Sequence, residues 1–175
     1  MSLRVFLGHG ASGTSASMAP FVRGLHARGL DATAIDLPRR KAEEALPEFH
    51  AAVPDEADVV VGGQSFGGRV ASLAAAEPDA PYAALVLFCF PLHPPGAPER
   101  AAVRIEHFPR IRCPVLLLSG ESDPFAQIGL LRGAVRRLPD AELVTYSKLG
   151  HTLRPVLDDA LDRVAAFLQG VPGFG

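Results

Sequence analysis

The chain has 175 residues, 48% of them apolar. That fills one hydrophobic core without disulfides or metals and falls short of two, so residues 1–175 are read as a single domain. A formal net charge of -2 lacks the clustered basic excess that binds nucleic acid, and the start MSLRVFLGHG has too short an apolar run for a signal peptide or membrane span. A cytoplasmic protein with neither nucleic-acid nor membrane partners is therefore expected. Lys41 and Lys148 are the only lysines among many Arg, Ala and Pro, the compositional bias of a GC-rich bacterial genome.

Short apolar runs alternate with helical patterns along the chain, the signature of a parallel sheet covered by helices on both faces. Strands are predicted over Leu3 to Gly8, Ala32 to Asp36, Asp58 to Gly62, Ala84 to Phe90, Val115 to Ser119 and Glu142 to Tyr146. Between the first two, Met18, Phe21, Val22 and Leu25 share one helix face and Gly29 stands where a C-terminal cap belongs. Leu46, Phe49 and Val53 predict a short helix within Lys41 to Val53, provided that Pro47 starts it. The proline-rich stretch Pro91 to Arg112 shows no clear element and connects the fourth and fifth strands at the ligand-binding edge of the sheet. The last helix opens at Pro155, carries Leu157, Leu161, Val164 and Leu168 on one face and stops at Gly170.

Chemistry concentrates in Val59-Val60-Val61-Gly62-Gly63-Gln64-Ser65-Phe66-Gly67-Gly68-Arg69, a buried strand that runs through G-x-S-x-G into a small-residue helix. A serine lifted above a sheet on a tight strand-to-helix turn needs small residues two before and two after it, and Gly63 and Gly67 meet that need. A hydroxyl is a poor nucleophile until a base takes its proton, and the base works when a carboxylate fixes its tautomer. Downstream, in the chain order such folds use, Asp123 follows the strand VLLLS and His151 follows the last strand. Catalytic residues are thus expected at Ser65, Asp123 and His151, with Glu121 a rival acid. The first strand ends in Gly8-His9-Gly10-Ala11, where a second oxyanion donor belongs, so the backbone N–H groups of Phe66 and Ala11 are the expected pair.

Each residue also has a plainer role open to it. The glycines could serve close helix–strand packing alone, Asp123 before Pro124 could cap a helix, and His151 could be a surface-loop histidine. The turn after the first strand could cradle phosphate, although neither G-x-G-x-x-G nor a P-loop lysine accompanies it. His9 and His93 are the expected substrate contacts; His107 shares the long loop, and Arg69, one turn beyond Ser65, is expected to brace neighbouring loops. Cys89 and Cys113 lie in apolar runs and are read as reduced core thiols; no histidine pair or cysteine set has zinc spacing, so no metal and no cofactor are expected.

On these strings, HGASG, GGQSFGGR, PLHPPG, SGESDPF and the late GH, the chain resembles the α/β-hydrolase superfamily along its whole length. It is most similar to small dienelactone-hydrolase-like bacterial proteins and to the branch with a testis-expressed protein and a histone-acetyltransferase subunit. The resemblance implies a minimal α/β-hydrolase fold of about six parallel strands without a large lid, hence a shallow, open pocket. True dienelactone hydrolases carry a cysteine nucleophile where this chain has Ser65. The expected function is hydrolysis of a carboxylic ester or thioester through an acyl-enzyme, with a small acyl substrate as partner; a homo-oligomer stays open. The alternative is a non-catalytic hydrolase-fold binding subunit, since a fold does not dictate turnover. A peptidase would need the same three residues and an extended cleft.

Overall fold

A computed structural model describes residues 2–173. Six strands, β1 (Arg4–Gly8), β2 (Asp31–Ile35), β3 (Val59–Gln64), β4 (Ala84–Phe88), β5 (Val115–Gly120) and β6 (Ala141–Tyr146), form one sheet in the order β2-β1-β3-β4-β5-β6. Every neighbouring pair is parallel, with Val5 opposite both Ala32 and Val60. The six parallel strands of one sheet match the expected α/β-hydrolase fold. The chain first builds outward to β2 and then returns past β1 to β3, so the topological switch point falls between β1 and β3.

Because both faces are covered, the inner strands are apolar throughout rather than alternating. Val59, Val61, Leu85, Leu87, Val115 and Leu117 pack on one face, while Val60, Val86, Phe88, Leu116 and Leu118 pack on the other. Onto the first face fold α2 (Leu46–Ala52), α3 (Phe66–Ala75) and α5 (Ile128–Val135), through Phe49, Val70 and Leu131. The second face is covered by α1 (Ala19–His26) and α6 (Leu157–Gln169), through Phe21, Leu25, Leu161 and Val164. Among the described residues no helix is long and apolar enough to cross a membrane.

Helix boundaries follow local chemistry. Pro47 occupies the first turn of α2, where its missing N–H costs nothing, and Pro155 lies in the short 3₁₀ turn that leads into α6. Gly29 ends the first helical segment at φ +76°: its N–H reaches His26 O at 3.0 Å and Leu30 N–H reaches back to Leu25 O at 3.1 Å. That pair of bonds is the Schellman arrangement, which satisfies carbonyls that the helix end leaves free.

Three expectations shift. β4 ends at Phe88 and not at Phe90, because Cys89 turns into the left-handed region at φ +51°. The stretch Pro91 to Arg112, read as structureless, contains 3₁₀ turns and a four-residue helix, α4 (Ala101–Arg104), and buries Leu92, Ile105 and Phe108. Its prolines obscured a wall that packs by single apolar anchors rather than by a periodic face. Helix α5 was not foreseen; its Leu131 and Ala134 are buried, but Gly129, Gly133 and two adjacent leucines blur the periodicity.

Replacing Gly29 with alanine isolates the cost of the left-handed cap, since a Cβ there meets nothing within 4 Å. A loss of about 1 kcal/mol, read as a lower urea midpoint at unchanged m-value, is expected.

Candidate active site

The site grows out of a close approach between backbones. A Cβ on Gly67 would lie 2.2 Å from Gly8 C, and one on Gly63 would lie 2.5 Å from Gly8 O, so only glycine lets α3 start against β1. Two hydrogen bonds hold this junction: Gly67 N–H to His9 O at 2.9 Å and Ser65 N–H to Phe88 O at 2.8 Å. Between them Ser65 is forced to φ 49° and ψ -114°, outside the allowed regions for an L-residue, a strain of about 1–3 kcal/mol that the surrounding packing offsets.

Two loops at the carboxyl edge of the sheet, after β5 and β6, converge on that serine. His151, after β6, places Nε2 2.8 Å from Ser65 Oγ and Nδ1 2.7 Å from Asp123 Oδ2. The Asp123 side chain is fully buried, and its other oxygen accepts the Phe125 N–H at 2.8 Å, so both carboxylate oxygens are satisfied. The Phe125 ring lies against the His151 imidazole with centroids 4.3 Å apart. Glu121, the rival acid, turns away to accept from Thr145 Oγ1 at 2.8 Å. The structure thus brings Ser65, His151 and Asp123 into one hydrogen-bonded chain. Asp123 caps no α-helix, because α5 begins only at Ile128.

Ser65 opens into a cleft of about 630 Å³, within the range of small-molecule sites. Ala11 and Phe66 line it, and among the described residues neither backbone N–H has a hydrogen-bond partner. α4 and the segment before α2 supply the opposite wall.

A family profile described as an alpha/beta hydrolase domain matches residues 2–169. The chain belongs to that family. The hydrolase is similar in structure to a monoacylglycerol lipase from Paleococcus ferrophilus, with TM-score 0.80 and 15% identity over 96% of each chain. It is also similar to an esterase from Pyrococcus furiosus, with TM-score 0.81 and 18% identity over 98% of this chain and 84% of that one. A bacterial membrane phospholipase A gives TM-score 0.78 and 20% identity over 97% and 79%. At such identities the likeness shows the fold. Among curated proteins none matches this sequence.

Both histidines expected to touch substrate instead brace this hydrolase's loops. His9 Nδ1 lies 2.8 Å from Gly10 O and Nε2 accepts the Leu37 N–H at 2.9 Å; the ring is 2% exposed and lines no part of the cleft. His93 does the same, with Nδ1 2.8 Å from Pro94 O and Nε2 accepting the Gln127 N–H at 3.0 Å. Since Nε2 accepts in each ring, Nδ1 carries the proton, and no ring nitrogen is left for a ligand. His107 is buried too: Ser72 Oγ donates to Arg69 O at 2.7 Å, so His107 Nε2 donates to Ser72 Oγ at 2.8 Å. Arg69 braces as expected, reaching Arg104 O at 3.2 Å and Glu43 Oε1 at 2.5 Å.

Cys89 was overlooked as a neighbour of the site. Its Sγ, a carboxylate oxygen of Asp123 and a ring nitrogen of His151 all lie within 4.8 Å of one another. Burial and the Asp123 charge push the thiol up to about 12, so Cys89 stays protonated, and a metal would have to displace the short Asp123–His151 bond. The donor set fits a hydrogen-bond chain with an apolar sulfur beneath it better than a metal centre. Cys113 is also a free thiol, pushed up to about 11 by burial.

Burial lowers the His107 ring from 6.5 to about 4, with Arg69 and Arg110 adding to the effect. A folded-state value below the unfolded one means that the unfolded chain takes up a proton first as the pH falls. The stability tied to neutral His107 is therefore complete above pH 6.5 and is lost progressively down to about pH 4. His107→Gln should flatten the fall in stability across that window, by up to about 3 kcal/mol at its acid end, as measured by urea unfolding at stepped pH.

Proposed function

We propose that this hydrolase cleaves a carboxylic ester or thioester, with Ser65 as nucleophile, His151 as general base and Asp123 as the group that orients the ring. The observation that carries the reading is the unbroken chain Asp123 Oδ2–His151–Ser65 Oγ, at 2.7 and 2.8 Å. As Ser65 Oγ attacks the acyl carbon, its proton passes to His151 Nε2, and the buried Asp123 carboxylate stabilises the imidazolium that forms. Protonation of the leaving group by the same nitrogen releases it; water, activated by His151, then frees the acid and restores Ser65.

Negative charge gathers on the carbonyl oxygen in both steps. The Phe66 and Ala11 N–H groups, unpaired among the described residues, are suited to receive it, and Phe66 opens α3, whose dipole adds positive potential there. No cofactor enters this scheme. Esterase and lipase names among the structural neighbours agree with acyl chemistry. The alternative, a binding subunit that does not turn over, has a hydrogen-bonded serine–histidine pair against it. A cytoplasmic location and the absence of nucleic-acid and membrane partners remain part of the proposal.

The deciding experiment compares wild type with Ser65→Ala on p-nitrophenyl esters from acetate to decanoate, alongside fluorophosphonate labelling. Wild type should turn over and label, while Ser65→Ala should lose labelling and at least about 10³-fold in kcat. Equal inertness of both proteins, with no labelling of folded wild type, would favour the binding-subunit reading. Asp123→Asn should fold normally yet lose about 10³–10⁴-fold in kcat, because an amide there favours the wrong imidazole tautomer.

A further inference from the structure

We propose that the ester or thioester carries an anionic group, a carboxylate or a phosphate, which Arg104, Arg100 and Lys41 receive in the cleft that Ser65 opens into. The inference rests on the serine-hydrolase reading and deepens it.

The charge of this cleft runs against that of the protein. Of the fourteen residues that line it, five are cationic and two anionic, in a chain of formal net charge -2. The cations come from three separate places: Arg40 and Lys41 before α2, Arg69 on α3, and Arg100 and Arg104 at α4. Folding therefore gathers them; no single basic run does so.

Their partners divide them further. Arg69 is committed to Glu43, and Arg40 reaches Glu48 at 3.4 Å. Arg104 Nη1 donates to Pro91 O at 2.8 Å, and among the described residues no carboxylate pairs with it. Lys41 and Arg100 likewise have no ion pair there. The surroundings of Arg104 repel its charge on balance, since burial, Arg69 and Arg100 lower its guanidinium from the ordinary value and Glu43 compensates only partly. A solvated structural face gains nothing from setting the charges of Arg69 and Arg100 against the half-buried Arg104. An anion bound there would relieve the repulsion and accept forked N–H donors from guanidinium groups.

The rest of the cleft limits what else the ligand contains. Near the serine it is lined by Ala11, Phe66, Pro91 and Phe125, which suits an apolar acyl chain beside the reacting carbonyl. Val103, 66% exposed on α4 between the two arginines, extends that apolar surface to the rim.

The test uses two matched pairs of substrates. Mono-p-nitrophenyl glutarate is compared with its methyl ester, and butyryl-coenzyme A with the butyryl thioester of N-acetylcysteamine. At least one anionic member should exceed its neutral partner about tenfold in kcat/KM, with the preference shrinking as salt rises. The pair that shows it tells carboxylate from phosphate. The double variant R100Q/R104Q should lower that preference severalfold, and Arg163→Gln, in the middle of α6 on the opposite face of the sheet from α3, should leave it intact. Neutral substrates preferred or equal in both pairs, from enzyme that a fluorophosphonate labels, would overturn the anion site and leave the nucleophile reading standing. If wild type is neither labelled nor active, the parent reading fails. Calorimetry with glutarate and coenzyme A then judges the anion site by itself: binding weakened about tenfold in R100Q/R104Q upholds it, and no binding of either probe overturns it.

Discussion

The contact between Gly67 and the backbone of Gly8 is the constraint on which the site depends. With no side chain on either residue, α3 begins almost on top of β1, and Gly67 N–H can reach His9 O at 2.9 Å. That bond fixes the turn in which Ser65 is strained, and it draws the end of β1 beside the end of β3 at the switch point. Ala11 and Phe66, which come from those two strand ends, thereby share a cleft with the serine. Ser65, the N–H groups of Ala11 and Phe66 and the cleft they line follow from one backbone approach, whereas Asp123 and His151 need only occupy the correct loops farther along the sheet.

Much of this could be read before any coordinates. The six strands and their parallel direction follow from uniformly apolar runs, and both terminal helices follow from spacing and capping residues. Gly63 and Gly67 flank Ser65 in a pattern with few structural uses, and the order of Asp123 and His151 matches the strands that they follow. Glu121 and Asp123 could not be separated from spacing, since both lie on one loop. Their roles diverge because Asp123 is turned inward, bonded by the Phe125 N–H, whereas Glu121 meets Thr145 across the neighbouring strand.

What stayed hidden depends on contacts between distant segments. His9 and His93 stand beside the site in the sequence and invite a binding role, yet each spends both ring nitrogens on backbone groups, at Leu37 and at Gln127 respectively. His107 is held by Ser72, a residue 35 positions earlier in the chain. No local pattern announces such bonds. The segment between β4 and β5 was opaque for the related reason that Ile105 and Phe108 anchor it singly, so it has no period to detect.

These differences separate the machinery from the wall in front of it. The serine turn, the buried Asp123 and the His151 loop are held by glycine contacts and by hydrogen bonds to sheet ends, where most substitutions meet backbone atoms. The opposite wall is a connection between β4 and β5 that pairs with no strand; its arginines project from a short helix anchored by a few buried side chains. The Asp123–His151–Ser65 chain is therefore set by the sheet and its turns, and the cationic wall by residues 91–112 together with the short basic stretch before α2. The proposed anion site rests on a group of cations in that wall that was absent from the strand pattern, because the fold does not require it.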